Sequence, residues 1–291
     1  MGTNIFCEGP STETKVEAIF LGSGSAFCLD NWHSNVLLTV EDADGKKSSL
    51  LIDCGGDVRH SLRANNLSHL DVDGVYLSHP HADHIGGVEY IAFASRFDPA
   101  YIGKPTLIGN WKVLDTSWEH AFKAGLSSLE GEEATLNTYF EVKKISDNNG
   151  FVFNGLEIEL IRMIHTMDNQ ELMPAYGLMI KMNGKTAFFT TDAQHAPKQI
   201  QCFYDQADII FHDCETLYAK GDDGQPDIEK PFMSGVHAHL EELKDLPAET
   251  RAKMFLYHYQ DGSVGTAIDV RRKAFGFREF VMPGQKFVWP N

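Results

Sequence analysis

Ser78-His79-Pro80-His81-Ala82-Asp83-His84-Ile85-Gly86-Gly87 sets three imidazoles and a carboxylate in the six positions from His79 to His84. An apolar stretch, Gly74 to Ser78, precedes them, and a segment of helical periodicity, Gly86 to Phe97, follows. On an extended chain, side chains two apart project to the same side, so His79 and His81 can share one metal ion. The chain then turns into a helix and presents Asp83 and His84 toward a second ion beside the first. A histidine-rich loop without metal is the competing reading, but so dense a donor set between a strand and Gly-Gly has few structural uses.

Outward from this motif, short apolar strands separated by turn signals are expected at Val16 to Gly22, Asn35 to Val40, Ser49 to Asp53 and Gly74 to Ser78, with a hairpin turn at Gly45. A second set is expected at Phe151 to Phe153, Leu156 to Met163, Gly177 to Met182 and Thr186 to Thr190, the last two joined by a turn at Asn183-Gly184. Helical periodicity marks Trp111 to Gly125, Lys198 to Asp205 and Leu240 to Phe255, the latter two flanking a short strand at Ile209 to Phe211. Gly221 to Pro231 reads as a surface loop. Strands and helices recurring in similar order in both halves predict a four-layer αββα sandwich, an α/β fold of two mixed sheets with helices outside. Residues 16–291 form one expected domain after a flexible N-terminal segment, 1–15.

The 291 residues carry 25 Lys and Arg against 41 Asp and Glu, a formal charge of −16 that disfavours long nucleic acid as a partner. Neither a signal peptide nor a membrane-spanning segment is expected from the polar start and the short apolar runs, and five cysteines without paired spacing argue against a disulfide framework. The expected home is a reducing cytoplasm.

The His-x-His-x-Asp-His motif resembles that of the metallo-β-lactamase superfamily, and the resemblance extends over most of the chain. It implies that His165, Asp192 and His258, each following an apolar strand, complete the ligand set. In that pattern His79, His81 and His165 hold one divalent ion, Asp83, His84 and His258 hold the other, and Asp192 bridges them. Zinc suits nitrogen and oxygen donors, with manganese or iron as alternatives. The β-lactamases carry Cys where this chain has Asp192. The segment Ile164 to Asp192, with Pro174-Ala175-Tyr176-Gly177, is instead similar to ribonuclease Z and its phosphodiesterase relatives, as is Ala207 to Asp213, where a strand delivers His212 and an acidic residue.

Gly235-Val236-His237-Ala238-His239 lies where that branch carries a histidine acting on the scissile phosphate. His237 fits the spacing better than His239 and is the expected acid, with Asp83 orienting or receiving a proton from the attacking water. Departures are equally informative. Only 27 positions separate His165 from Asp192, too few for the arm that grips transfer RNA; Thr191 replaces the usual Gly; and His-Ala-His stands for the family's His-Ser-Thr.

The resemblance therefore implies a two-metal phosphodiesterase for a small phosphodiester such as a cyclic nucleotide, and a homodimer. A lactone or thioester hydrolase and a ribonuclease Z-like endoribonuclease without the arm are the alternatives, with a non-hydrolytic protein of the same fold behind them. Gly22-Ser23-Gly24-Ser25-Ala26 is a tight turn near the metals rather than a dinucleotide fingerprint. Trp32, His33, Asn35 and Tyr176 are available to contact a base, or are ordinary rim residues.

Overall fold

Alternate residues of the central strands belong to different cores. In Lys185–Phe189, Ile209–Asp213 and Met254–Tyr257, the side chains of Phe189, Phe211 and Tyr257 join one apolar cluster while Phe188, Ile210 and Leu256 join another. A period of two with both faces apolar requires a sheet covered on both sides. The computed structural model describes residues 15–289 apart from 43, 183, 222 and 223. The expected N-terminal segment therefore lies, except for Lys15, outside the described residues, as does Asn183 of the expected Asn-Gly turn.

Two sheets stack face to face. The first has seven strands in the order Lys286–Trp289, Lys15–Phe20, Val36–Glu41, Lys47–Ile52, Gly74–Leu77, Thr106–Asn110 and Glu141–Ile145. Its pairing is antiparallel as far as Lys47–Ile52 and parallel beyond. The second has six, in the order Met254–Tyr257, Ile209–Asp213, Lys185–Phe189, Tyr176–Met182, Leu156–Arg162 and Gly150–Phe153, the first three parallel. Between the sheets Phe211 stacks on Phe189 at 4.5 Å and meets Phe20 at 5.0 Å. Helix residues Val58, Leu62, Val88, Ile91, Val113 and Leu114 extend this cluster, while Ile200, Leu243 and Ile268 pack against the opposite face of the second sheet. The expected four-layer sandwich is the observed one.

The expected helix Leu240 to Phe255 is corrected. Leu240–Leu243 and Ala248–Arg251 are separate single turns, and the chain is already a strand at Met254–Tyr257. Pro247 is the physical reason: it lacks an N–H, disfavours helix at the residue before it, and serves here as the N-cap of the second turn. Gly221 to Pro231 is likewise more ordered than a loop, because Pro226–Pro231 pairs antiparallel with Tyr218–Lys220. Three strands of the first sheet, Thr106–Asn110, Glu141–Ile145 and Lys286–Trp289, complete what the sequence reading left open. Among the described residues no helix is long and apolar enough to cross a membrane, and Cys28, Cys54, Cys202 and Cys214 are unpaired.

Phe211 is fully buried at the contact of the two sheets. Phe211→Ala is expected to cost about 3 to 5 kcal/mol by chemical denaturation, whereas a loss below about 1 kcal/mol would show that the sheets are not joined through this ring.

Candidate metal centre

Strands of both sheets end on one rim. Asp53 follows Lys47–Ile52, His79 comes two residues after Gly74–Leu77, and His165 and Asp192 each come three residues after their strands, Leu156–Arg162 and Lys185–Phe189. Asp213 closes Ile209–Asp213 and His258 follows Met254–Tyr257. Carboxyl ends of strands in α/β sheets are where chemistry collects, since the chain there leaves the ladder and side chains converge. Three of these residues or their neighbours turn sharply. Asp53, Thr191 and His258 adopt φ of 59°, 52° and 61°, the left-handed region that side chains with a Cβ seldom occupy.

Two donor groups share one oxygen. His79, His81, His165 and Asp192 form the first, and Asp83, His84, Asp192 and His258 the second, with the donor atoms of each within 4.8 Å of one another. In the first, Nδ1 of His81 stands 3.1 Å from Nε2 of both His79 and His165, and Oδ2 of Asp192 is 3.6 and 3.7 Å from those two Nε2 atoms. In the second, Nε2 of His84 is 3.2 Å from both carboxylates, and Nε2 of His258 is 3.3 Å from Asp83 and 3.4 Å from Asp192.

A tetrahedral ion with bonds of about 2.0 to 2.1 Å separates its ligand atoms by about 3.3 to 3.4 Å, so these spacings are those of two coordination polyhedra joined at Asp192. Nε2 of His84 and Oδ1 of Asp192 are buried with no hydrogen-bond partner among the described residues, as atoms reserved for a cation would be. The donor chemistry fits two divalent ions. All seven residues expected from the motif are brought together.

The other ring nitrogens are held by the protein, which fixes which nitrogen faces inward. Nδ1 of His79 contacts Ser78 Oγ at 3.0 Å, and Nδ1 of His165 donates to the Val236 carbonyl at 2.8 Å. Asp53 is the busiest of these supports: one oxygen accepts from the Ser78 N–H, the other from the Ser78 hydroxyl and from Nδ1 of His84, each at 2.8 Å. Asp213 stands below His258 with one oxygen 3.4 Å from Nδ1, an ion-pair distance, while its other oxygen accepts from the Ala193 N–H at 2.9 Å. Sequence reading missed Asp53, since an Asp before Cys-Gly-Gly looks like an ordinary turn residue. It noticed the acidic residue at 213 without giving it a role.

His237 stands outside both donor groups. Its Nδ1 pairs with Oδ2 of Asp213 at 2.8 Å, and its ring packs against His165 and His258 with centroids 5.1 and 4.8 Å away. Its side chain keeps 18% of its surface exposed. His239, the other histidine of that segment, has both nitrogens engaged: Nδ1 accepts from the Glu241 N–H and Nε2 donates to the Leu217 carbonyl, which makes it a helix cap. His212 is also committed, between the Tyr204 hydroxyl and the Asp213 carbonyl.

Electrostatics separate the rings. Burial opposes protonation of His84 and His258, yet the surrounding carboxylates, Asp192 foremost, raise both well above the usual imidazole range. Burial instead dominates at His79, lowering it well below that range, and takes His165 down to about 4. Burial works against ionisation of Asp83 too, but His84 and His258 hold it well below an ordinary carboxylate. The carboxylates therefore favour positive charge at His84 and His258, charge that bound cations would supply instead.

A family profile described as Anti-Pycsar protein Apyc1 matches residues 16–287. The Anti-Pycsar protein Apyc1 of Paenibacillus harenae is 30% identical over 269 residues, covering 92% of this chain and 97% of its own. The protein of the same name from Bacillus phage 010DV004 is 27% identical over 277 residues, covering 94% and 98%. Among solved structures, the metallo-β-lactamase fold protein YhfI of Bacillus subtilis aligns with a TM-score of 0.69 at 20% identity, over 94% of this chain and 99% of that one.

Two outcomes are expected at this centre. Asp53→Ala releases His84 and Ser78 together and should weaken metal binding by about 10- to 100-fold in chelator competition; unchanged affinity would remove Asp53 from the site. Cation binding must also displace the protons on His84 and His258, so calorimetry in buffers of different ionisation enthalpy should record proton release near neutrality and affinity falling as pH is lowered. Proton uptake would contradict this charge assignment.

Proposed function

The chain belongs to the Anti-Pycsar protein Apyc1 family, and from that membership and the geometry of the metal centre we propose that it is a dinuclear metal-dependent phosphodiesterase acting on a small phosphodiester such as a cyclic nucleotide. The observation that carries the reading is the His237–Asp213 pair. A half-buried imidazole, oriented by a buried carboxylate at 2.8 Å and lying beside two of the metal-binding histidines, suits a substrate whose leaving oxygen needs a proton.

His79, His81 and His165 would hold one cation and Asp83, His84 and His258 the other, with Asp192 within reach of both. Two such cations, zinc or alternatively manganese or iron, would supply Lewis acidity toward a phosphate group and toward a water. Asp83, 8% exposed, would orient the attacking water through a carboxylate oxygen or receive its proton. Asp213 keeps Nδ1 of His237 engaged and so directs Nε2 to the substrate as proton donor, with Asp213 and Asp192 favouring the charged ring against the effect of burial.

A small substrate is favoured over a folded RNA for two physical reasons. The formal charge is −16. The interval from His165 to Asp192 is filled by a short excursion closed at Met167 and Leu172, followed by the Tyr176–Met182 and Lys185–Phe189 hairpin, which leaves no arm. A carboxylic ester or lactone would use the same cations but give His237 nothing to do.

Purified protein supplied with manganese or zinc should hydrolyse cyclic mononucleotides faster than short RNA, lactones or thioesters. Asp192→Ala should lower that rate by at least about a hundredfold and drop the metal content below two per chain. Rapid lactone turnover without phosphodiesterase activity, or an Asp192→Ala variant with full metal and full rate, would refute the assignment.

A further inference from the structure

His33 and Asp57 form a second imidazole–carboxylate pair beside the centre. Nδ1 of His33 faces Oδ1 of Asp57 at 3.5 Å, and Oδ2 of Asp57 accepts the His33 backbone N–H at 2.8 Å. The two facing atoms are buried and neither has a hydrogen-bond partner among the described residues, while the His33 side chain as a whole keeps 18% of its surface exposed. With Nδ1 turned to the carboxylate, Nε2 is the nitrogen left to meet something else.

Three features indicate that the chain is arranged around this pair. Asp57 stands at the N-cap of Val58–Ala64, where an Asp ordinarily accepts from the first free N–H groups, but its side chain makes no cap hydrogen bond and is turned to His33 instead. Trp32, immediately before His33, is held at φ 53°, an uncommon conformation for an aromatic residue. Gly55 lets the ring approach: a Cβ there would stand 2.2 Å from the Asp83 carbonyl oxygen and 2.8 Å from Nδ1 of His33. His33 therefore lies against the main chain of a metal-binding residue. Gly24 bridges His33 on one side and Tyr259, next to His258, on the other, so the His33 backbone lies two strand spacings, about 10 Å, from that of Tyr259.

We propose that His33, oriented by Asp57, is a substrate-binding residue that donates Nε2–H to an anionic oxygen of the bound diester from the Asp83 side, whereas His237 acts from the side of His165 and His258. The inference rests on the phosphodiesterase reading of the same centre. An acidic chain that binds an anion needs donors besides its cations, and a half-exposed imidazole backed by a carboxylate provides one.

The test is steady-state kinetics of His33→Ala, His33→Asn and Asp57→Ala on a cyclic mononucleotide, with metal content and thermal melting measured alongside. His33→Ala should raise KM about tenfold or more with kcat within about threefold, the loss of one hydrogen bond to a charged group. His33→Asn, which retains an N–H donor, should recover part of that loss, and Asp57→Ala should also raise KM. Metal content should remain that of the wild type in all three. Unchanged kinetics in His33→Ala would overturn the proposal, as would loss of metal with a fall in kcat at constant KM, since either outcome reduces His33 to a support for Asp83. Absence of phosphodiesterase activity in the wild type would instead refute the parent reading.

Discussion

A single carboxylate oxygen, Oδ2 of Asp192, lies 3.2 to 3.7 Å from imidazole nitrogens of His79, His84, His165 and His258. Those four rings arrive from both sheets, two from the rim of the first and two from the rim of the second. Burying an isolated carboxylate costs several kcal/mol unless positive charge accompanies it, and Asp192 is 1% exposed. The two sheets must therefore hold their rims in register to within a fraction of an ångström, and the aromatic contacts among Phe20, Phe189, Phe211 and Tyr257 directly beneath supply that stiffness. Close packing transmits little give, so the core and the charged rim are one mechanical unit.

The same demand explains the backbone strain. Asp53, Thr191 and His258 sit where strands must turn within a residue to aim a side chain at the centre, and a non-glycine residue there costs on the order of 1 to 3 kcal/mol. Neighbouring bonds hold these turns: the His258 N–H donates to the Ser23 carbonyl at 2.7 Å, and the Thr191 hydroxyl donates within hydrogen-bond reach of the carbonyls of Thr190 and Tyr176. The departure at Thr191, where relatives of the ribonuclease Z type carry Gly, becomes intelligible here. Glycine reaches a positive φ freely, whereas this threonine reaches it with its hydroxyl tied down.

What could be read from sequence was what is local or periodic. His79 to His84 are close in the chain, so their donor geometry follows from a strand turning into a helix, and five of the six strands of the second sheet were legible from their apolar residues, whereas the start of Met254–Tyr257 was read as helix. Residues acting through others were not legible. Asp53 reaches His84 across 31 positions, and nothing in Ile52-Asp53-Cys54-Gly55 announces that contact. His237 and His239 have nearly the same sequence surroundings, and only the fold separates the ring turned to Asp213 from the ring that caps a helix. Glu141–Ile145 escaped notice because an edge strand with exposed Glu141, Lys143 and Lys144 lacks the apolar signature of its neighbours.

The seven residues able to hold metal are nearly all buried, and a site of that kind serves many reactions on one fold, so they cannot by themselves choose a substrate. Choice falls to groups that are anchored yet partly open. His237 with Asp213 and His33 with Asp57 share that character: in each pair a carboxylate oxygen faces Nδ1, at 2.8 and 3.5 Å, and in each the imidazole keeps 18% of its surface in solvent. One pair hangs from the second sheet beside His165 and His258, the other from the first sheet beside Asp83. On the proposed reading, a ligand bound across the centre would be met from both sheets, and changes in the loops carrying these pairs would alter recognition without touching the sheet ends.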